Sequence, residues 1–410
     1  MNELETGKSY KVVNVKESRK RAVIIKMTDS EAPMSEICSE SGFSESEVLN
    51  QMDYIVSQGT CLNIDYLIDG TNIVRDSRLK KLRKSLLFRG INKEFAGRIK
   101  ESQLYQLYMK HHDELIFGIR NGYVNLYYNC ASIAKISQRE RNGLRIEISS
   151  YYMGKSPSKM IEVNAEDIVK NYSTIKKMEN KKSTFEKKSQ ERLFTLNNSN
   201  TESKWYCIDV EWAKQYINKQ AKDEDGFNAR FDIVAIEKAV PHHVAIIELK
   251  YGFKAIGKAS GIKEHAEDFT QFLKKGYFKT FKTEVISIIR SLKAINVEVP
   301  KELSDIKETD ISDEPLFYFI VLDNNPKKEG AVTPKQSIGS YMFNKENPKY
   351  SKWRCIEPSE YNMQDKSEVG DITDKSNFLH ATFLFSKQKY ESLQISDIIN
   401  DPEYEIIEPE

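Results

Sequence analysis

Apolar and polar residues alternate along short segments of the chain, and this pattern predicts two groups of β-strands. Within residues 114–136, Asn121-Gly122 stands between alternating apolar and aromatic residues, which is the strongest short-range signal of a β-hairpin. Residues 144–153 predict a third strand of this first group. The second group is predicted at residues 205–213, 229–252, 315–325 and 377–386.

Apolar residues at helical spacing predict helices around the second group of strands. We expect one helix over residues 185–200, a second within 258–275 after a glycine-containing loop, and a third that includes 281–292. The apolar stripe of the second helix consists of Ile262, Ala266, Phe269 and Phe272/Leu273. The chain is therefore expected to be α/β, with a mixed sheet flanked by helices after a β-rich middle segment.

Three charged residues interrupt the apolar strands of residues 229–252. Glu248 and Lys250 are two positions apart and point to the same face of their strand, and Asp232 lies on the preceding strand. A strand this apolar is normally buried, and a buried charge is costly unless it is paired, hydrogen-bonded or bound to a metal. Two carboxylates and a lysine that converge can bind a divalent metal through oxygen. The alternative interpretation is a half-buried salt bridge on an edge hairpin.

These residues resemble the PD-(D/E)XK nuclease superfamily, which has the restriction-endonuclease-like fold. Its motif is an acid at the start of one strand followed by Glu-x-Lys on the next, and Asp232, Glu248 and Lys250 match these positions. Phe231 stands where the motif has proline. Two other Glu-x-Lys copies begin at Glu179 and Glu186, but they lie in a polar, lysine-rich stretch.

The resemblance implies a metal-dependent nuclease that hydrolyses phosphodiester bonds, in DNA rather than RNA, and a role in prokaryotic defence against foreign DNA. Asp232 and Glu248 would hold Mg²⁺, or Mn²⁺, with the backbone carbonyl of Leu249 as a further ligand. Lys250 would assist the attacking water and stabilise charge on the phosphate.

Further polar residues near the motif are candidates for supporting roles. Each has an ordinary alternative, such as an exposed helix face or a surface ion pair. The helix over residues 185–200 could supply a further acid to the metal, either Glu186 with Gln190 or Glu191. The strand over residues 205–213 could supply another, either Asp209 or Glu211. The candidates are Glu186, Gln190, Glu211, His265 and Asp268 around the metal, and Lys254 and Lys258 at phosphates.

Residues 33–67 resemble the winged-helix families without a residue-specific fingerprint. The turn contains Gly42, and Ser44 is expected to cap the second helix. That helix carries Glu45, Glu47 and Asp53 and no lysine or arginine, so phosphates would repel it. We therefore expect this module to contact a partner protein or a second copy of the chain rather than to read DNA.

Composition agrees with a cytoplasmic, non-membrane protein of several domains. The chain has 410 residues, 30% of them charged, and a net charge of +1. Five scattered cysteines favour reduced thiols without structural zinc, and no apolar run is long enough to span a bilayer. The expected division is a winged-helix-like module (1–75), a helical and hairpin segment (76–180), a nuclease-like core (181–390) and an acidic tail (391–410).

Two other functions compete with the nuclease interpretation. One is a non-catalytic nucleic-acid-binding or regulatory protein on the same fold, but binding alone does not require buried charges such as Asp232 and Glu248. The other is a winged-helix transcription regulator, which a basic second helix would favour and the acidic one does not.

Overall fold

The computed structural model describes residues 89–139, 143–215, 228–253, 262–274, 276–338 and 381–407, with single positions between Ser35 and Glu47. This part of the chain is mixed α/β, with one five-stranded sheet, one six-stranded sheet and several helices. Lys254, Lys258 and most of the predicted N-terminal module lie outside the described residues.

The first sheet is an antiparallel meander in which each strand pairs with the next one along the chain. The predicted hairpin at Asn121-Gly122 is confirmed, and Gly122 adopts the positive φ of 74° that the turn requires. The strand predicted over 144–153 is shorter than expected, because the backbone turns into a 3₁₀ helix from Ser150 to Met153. The strands are β1 (Ile116–Ile119), β2 (Tyr123–Tyr128), β3 (Ala131–Arg139), β4 (Gly143–Ser149) and β5 (Met160–Val163).

Three helices accompany the first sheet: α1 (Lys93–Glu101), α2 (Gln103–Lys110) and α3 (Ala165–Lys182). The side chain of Asn92 caps α1 by accepting the Phe95 N–H at 2.8 Å. On α3 the buried residues are Ile168, Tyr172, Ile175 and Glu179, which follow helical spacing. The opposite face of α3 is rich in exposed lysine.

The second sheet has the order β11-β10-β9-β8-β7-β6. It is mixed: β8 and β9 pair in parallel, as do β9 and β10, and the other neighbours are antiparallel. The strands predicted in the second group are confirmed where the structure describes them. They are β6 (Trp205–Gln215), β7 (Asn228–Glu237), β8 (Val244–Tyr251), β9 (Leu316–Leu322) and β10 (Ala381–Phe385). The sixth strand, β11 (Glu405–Ile407), was not predicted.

Helices cover both faces of the second sheet. They are α4 (Phe185–Ser199), α5 (Ile262–Lys274), α6 (Tyr277–Ala294) and the short α7 (Pro334–Ile338). Leu193 of α4 belongs to a buried cluster with Ile247, whereas the α5 stripe belongs to another with Ile246. Since neighbouring strand residues point to opposite faces, α4 and α5 lie on opposite sides of the sheet.

Residues 391–407, which the sequence analysis assigned to an acidic tail, contribute to this sheet. β11 pairs with β10, and Leu393, Ile395 and Ile398 are buried in the cluster that includes α4. The prediction relied on the acidic composition of the segment and did not take account of these apolar residues, which alternate with polar ones. Their burial holds the segment against the sheet.

A buried ion-pair network, formed by Arg89, Arg120, Asp209 and Glu284, joins the two sheets. Asp209 accepts from Arg89 at 2.5 Å and from Arg120 at 2.6 Å, and Arg89 lies 3.0 Å from Glu284. We refer to these four residues as the arginine network. Asp209 is fully buried and both of its oxygens accept from arginines, so this acid is not a solvated outer residue.

Candidate active site

The pairing of β7 with β8 stops where the charged residues begin. The last paired residues are Ile233 and Ile247, and Asp232 and Glu248 would form the next pair. Instead, the Asp232 carboxylate accepts the backbone N–H of Leu249 at 2.9 Å. The strands thus part at this position, and a carboxylate occupies the place of a backbone hydrogen bond.

Glu248 and Lys250 lie on one face of β8, as their spacing predicts. The Lys250 amine donates to Glu248 Oε1 at 2.7 Å, and the two side chains are 5% and 2% exposed. On α5, His265 places Nε2 at 3.0 Å from the same Oε1. We call Asp232, Glu248, Lys250 and His265 the acid–lysine cluster.

The cluster holds more negative than positive charge, and the pKa values reflect this. Burial, and then the charge of Glu248, raise the pKa of Asp232 well above its usual value. Burial likewise raises the pKa of Glu248 to about 7, although Lys250 opposes the shift.

The remaining two groups of the cluster shift in opposite directions. Burial lowers the pKa of Lys250, but Glu248 and Asp232 outweigh it and the net shift is upward, so the amine stays charged. Burial and the Lys250 charge lower the pKa of His265, so its ring is neutral at pH 7. With both acids ionised, the cluster carries one uncompensated negative charge.

The donor set fits a divalent cation that binds oxygen. Glu248 Oε2 is buried and has no hydrogen-bond partner, unlike Oε1. The N–H and C=O of one residue in a strand point to the same side of that strand. The Leu249 N–H points toward Asp232, so the Leu249 carbonyl faces the same gap between β7 and β8. Two carboxylates and a carbonyl leave room for water or phosphate on a magnesium ion. No group of three or more His, Cys, Asp or Glu side chains suited to hold a metal occurs among the described residues.

The predicted supporting residues divide into those near the cluster and those turned elsewhere. Glu186, in the first turn of α4, influences the pKa of all four cluster residues. Asp268 lies 3.9 Å from Nδ1 of His265. Gln190 is buried and its Oε1 has no hydrogen-bond partner, so no hydrogen bond joins this oxygen to the cluster.

Glu211 and Glu191 make other contacts. Glu211 pairs with Lys187 at 3.3 Å and with Arg230 at 3.2 Å. Glu191 accepts the backbone N–H of Cys130 at 3.1 Å, at the turn between β2 and β3, and burial raises its pKa to about 8. Glu191 therefore holds that turn and does not contact the cluster.

Two aromatic residues next to the site in the chain were not among the residues predicted from the sequence. Phe185 directly precedes Glu186, Tyr251 directly follows Lys250, and their rings stack with centroids 5.5 Å apart. The sequence did contain a signal for them, because each aromatic residue stands beside a charged site residue at the end of a predicted helix or strand. Residue pattern alone does not indicate that a helix start and a strand end would meet.

At the N-terminal end, the few described positions agree with the predicted turn and cap. Gly42 has a φ of 64°, and its N–H donates to Cys38 at 2.9 Å. Ser44 and Glu47 form a reciprocal capping box: the Glu47 carboxylate accepts the Ser44 N–H at 2.8 Å, and Ser44 Oγ accepts the Glu47 N–H at 3.4 Å.

Comparisons with known proteins bear on this end of the chain. The family model of the RecQ-1-like helix-turn-helix domain matches residues 18–68, so this segment is similar to that domain. No curated protein and no solved structure matches the chain. Within the described part of the chain, every helix is too short or too polar to cross a membrane.

Proposed function

We propose that the protein is a divalent-metal-dependent nuclease with a restriction-endonuclease-like core. The observation that carries the proposal is the convergence of Asp232, Glu248 and Lys250 where β7 and β8 part, with an unpartnered buried oxygen on Glu248. A buried excess of negative charge is costly, and a cation from solution relieves it. A mixed sheet with helices on both faces supports the same assignment.

In this proposal Asp232, Glu248 and the Leu249 carbonyl hold Mg²⁺, and Mn²⁺ can replace it. A bound divalent cation supplies Lewis acidity to the phosphate and lowers the pKa of its water. Lys250 remains an ammonium, so it orients water and stabilises the charge that develops on phosphate oxygens. His265 is a positioning residue that holds Glu248 Oε1 through its ring.

Nucleic acid is the proposed substrate, DNA more than RNA. The helix-turn-helix similarity at residues 18–68 supports nucleic-acid binding, against the protein contact that we expected from the acidic second helix of this module. A cavity of about 1150 Å³ between α2 and α3 supports it too, because basic side chains attract a phosphate backbone. Its basic lining includes Lys110, His111, Lys170, Lys176, Lys177 and Lys181. Defence against foreign DNA is the biological role that we propose for such an activity.

The test is cleavage of plasmid DNA, single-stranded DNA and RNA by the pure protein with Mg²⁺, Mn²⁺ or EDTA. We expect metal-dependent cleavage that falls by about 10²–10⁴-fold in Lys250→Ala, the usual effect of losing a positioned catalytic group. Metal binding should survive in this variant because both carboxylates remain.

Lys282→Ala is the matched control. Lys282 is also buried, and its amine donates to the Ile311 carbonyl. Ile311 pairs with His242, which precedes β8, so Lys282 lies toward the end of β8 opposite to Lys250. Its replacement should leave turnover near that of the wild type. Absence of cleavage with either metal, or cleavage that is unchanged in Lys250→Ala and therefore does not come from this site, would favour the non-catalytic binding protein.

A further inference from the structure

Three aromatic rings form an exposed group at the start of α4. Phe185 is 50% exposed and stacks on Tyr251, with an interplanar angle of 29°. Tyr390 lies 6.2 Å from the Phe185 ring, and its N–H donates to the Tyr251 hydroxyl at 3.2 Å. We call Phe185, Tyr251 and Tyr390 the aromatic platform. This hydrogen bond joins Tyr390 to Tyr251, and the stacking contact joins Tyr251 to Phe185, so three separate segments of the chain hold the platform together.

A lysine borders the platform. Lys188 Nζ lies 5.9 Å from the Phe185 centroid and 5.8 Å from that of Tyr390, within reach of a cation–π contact. The exposed Lys389 directly precedes Tyr390 in the chain. A half-exposed aromatic ring with cations at its border is the combination that binds a nucleobase and its phosphate.

The platform lies at the same end of β8 as the acid–lysine cluster, on the opposite face of the sheet. Tyr251 follows Lys250 on β8 and points to the opposite face, so the platform lies across the end of the sheet from the amine. Phe185 precedes Glu186, whose charge affects the pKa of Asp232 and Glu248. A nucleic-acid strand that crosses this end of the sheet would contact both the platform and the acid–lysine cluster.

We propose that the aromatic platform stacks an unpaired base next to the bond that is cleaved, so that the substrate is single-stranded nucleic acid. This inference rests on the proposed nuclease function and specifies its substrate. A base inside a duplex is stacked on its neighbours and presents only its edge, whereas an unpaired base offers its face to an aromatic ring. The half-exposed Phe185 ring is suited to the second case.

The experiment measures binding rather than cleavage, with the full chain in EDTA and at one salt concentration. Anisotropy of a labelled oligo-dT, a single-stranded RNA of equal length and a duplex gives the three affinities. Phe185→Ala should weaken single-strand binding by about 5- to 150-fold, the usual effect of one base–aromatic stack, and leave duplex binding unchanged. Phe185→Trp should retain single-strand binding.

Met160→Ala is the control, because Met160 is a similarly exposed apolar side chain on the first sheet. A fluorescent base analogue such as 2-aminopurine should be quenched by the wild-type protein and not by Phe185→Ala, which a purely structural role of Phe185 would not produce. Weaker binding of Phe185→Ala to single-stranded DNA alone, or to single-stranded DNA and RNA together, supports the platform. The comparison of the two also shows whether the platform distinguishes deoxyribose from ribose.

Two results would overturn the platform: wild-type single-strand affinity in Phe185→Ala, or an equal loss on the duplex. If Phe185→Ala still cleaves with Mg²⁺ while single-strand binding is unchanged, the nuclease function stands and the platform does not. If Phe185 is required for binding but no substrate is cleaved with metal, the platform stands and the nuclease function does not.

Discussion

The arginine network and the acid–lysine cluster both bury charge, but only one of them is balanced. In the arginine network two guanidinium groups face two carboxylates, and each oxygen of Asp209 accepts from its own arginine. In the acid–lysine cluster a single amine serves two carboxylates, and Glu248 Oε2 has no partner. A balanced network stabilises a contact between two sheets, whereas an unbalanced one is suited to binding a cation from solution.

The largest expected effect comes from the same substitution made in each region. Asp209→Asn removes one negative charge and leaves two buried arginines with only Glu284 as a counter-charge, which should cost about 3–5 kcal/mol of stability. Asp232→Asn also removes one charge but leaves Glu248 and Lys250 balanced, and keeps an oxygen for the Leu249 N–H. It should leave stability unchanged or raised, because like-charge repulsion is lost.

Urea unfolding in EDTA measures both changes. Glu147→Gln is the control, since Glu147 pairs with Arg145 at 3.0 Å at a half-exposed site, where a salt bridge contributes about 0–1 kcal/mol. Similar losses in Asp209→Asn and Asp232→Asn would mean that the acid–lysine cluster is a structural salt bridge.

The next effect is a pH dependence that follows from Glu248. Its pKa is about 7 in the folded protein against an ordinary value of 4.5, so the folded protein holds a proton that the unfolded chain releases between these values. The contribution of Glu248 to stability should therefore be largest below about pH 4.5 and decrease by roughly 3 kcal/mol as the pH rises to about 7. Denaturation in EDTA across this range should show a shallower slope for Glu248→Gln, and identical slopes would contradict the assignment.

The smallest effect is stabilisation by the metal itself. Mg²⁺ that binds only the folded protein should raise the free energy of unfolding by about 1.4 kcal/mol at ten times its Kd. The gain should be absent in Glu248→Gln, measured at matched ionic strength. An equal gain in both proteins would indicate a general salt effect rather than a site.

Much of the fold could be predicted because its signals are local. The turn at Asn121-Gly122, the apolar stripe of α5 and the alternation along β8 depend on neighbouring residues, and the structure agrees with each. The same alternation placed Glu248 and Lys250 together. Their role in metal binding and catalysis remains a prediction.

The positions of Asp209 and Glu211 could not be predicted because β6 is irregular. The register of β6 shifts between Cys207 and Asp209, and Glu211 has a positive φ of 51°. A bulge adds one residue to a strand, so strict alternation assigns the following side chains to the wrong faces. Partners distant in sequence, such as Arg89 and Arg120 for Asp209, leave no local signal at all.

The apolar core that the two sheets share affects how the molecule unfolds. One buried cluster includes Ile91 of the segment before α1, Leu126 of the first sheet and Phe385 of the second. Elements that bury the same surface cannot separate without exposing it to water, so we expect both sheets to melt in one cooperative transition. A protease that cuts only the unfolded chain would then release no stable half, and intermediate-sized fragments should not accumulate.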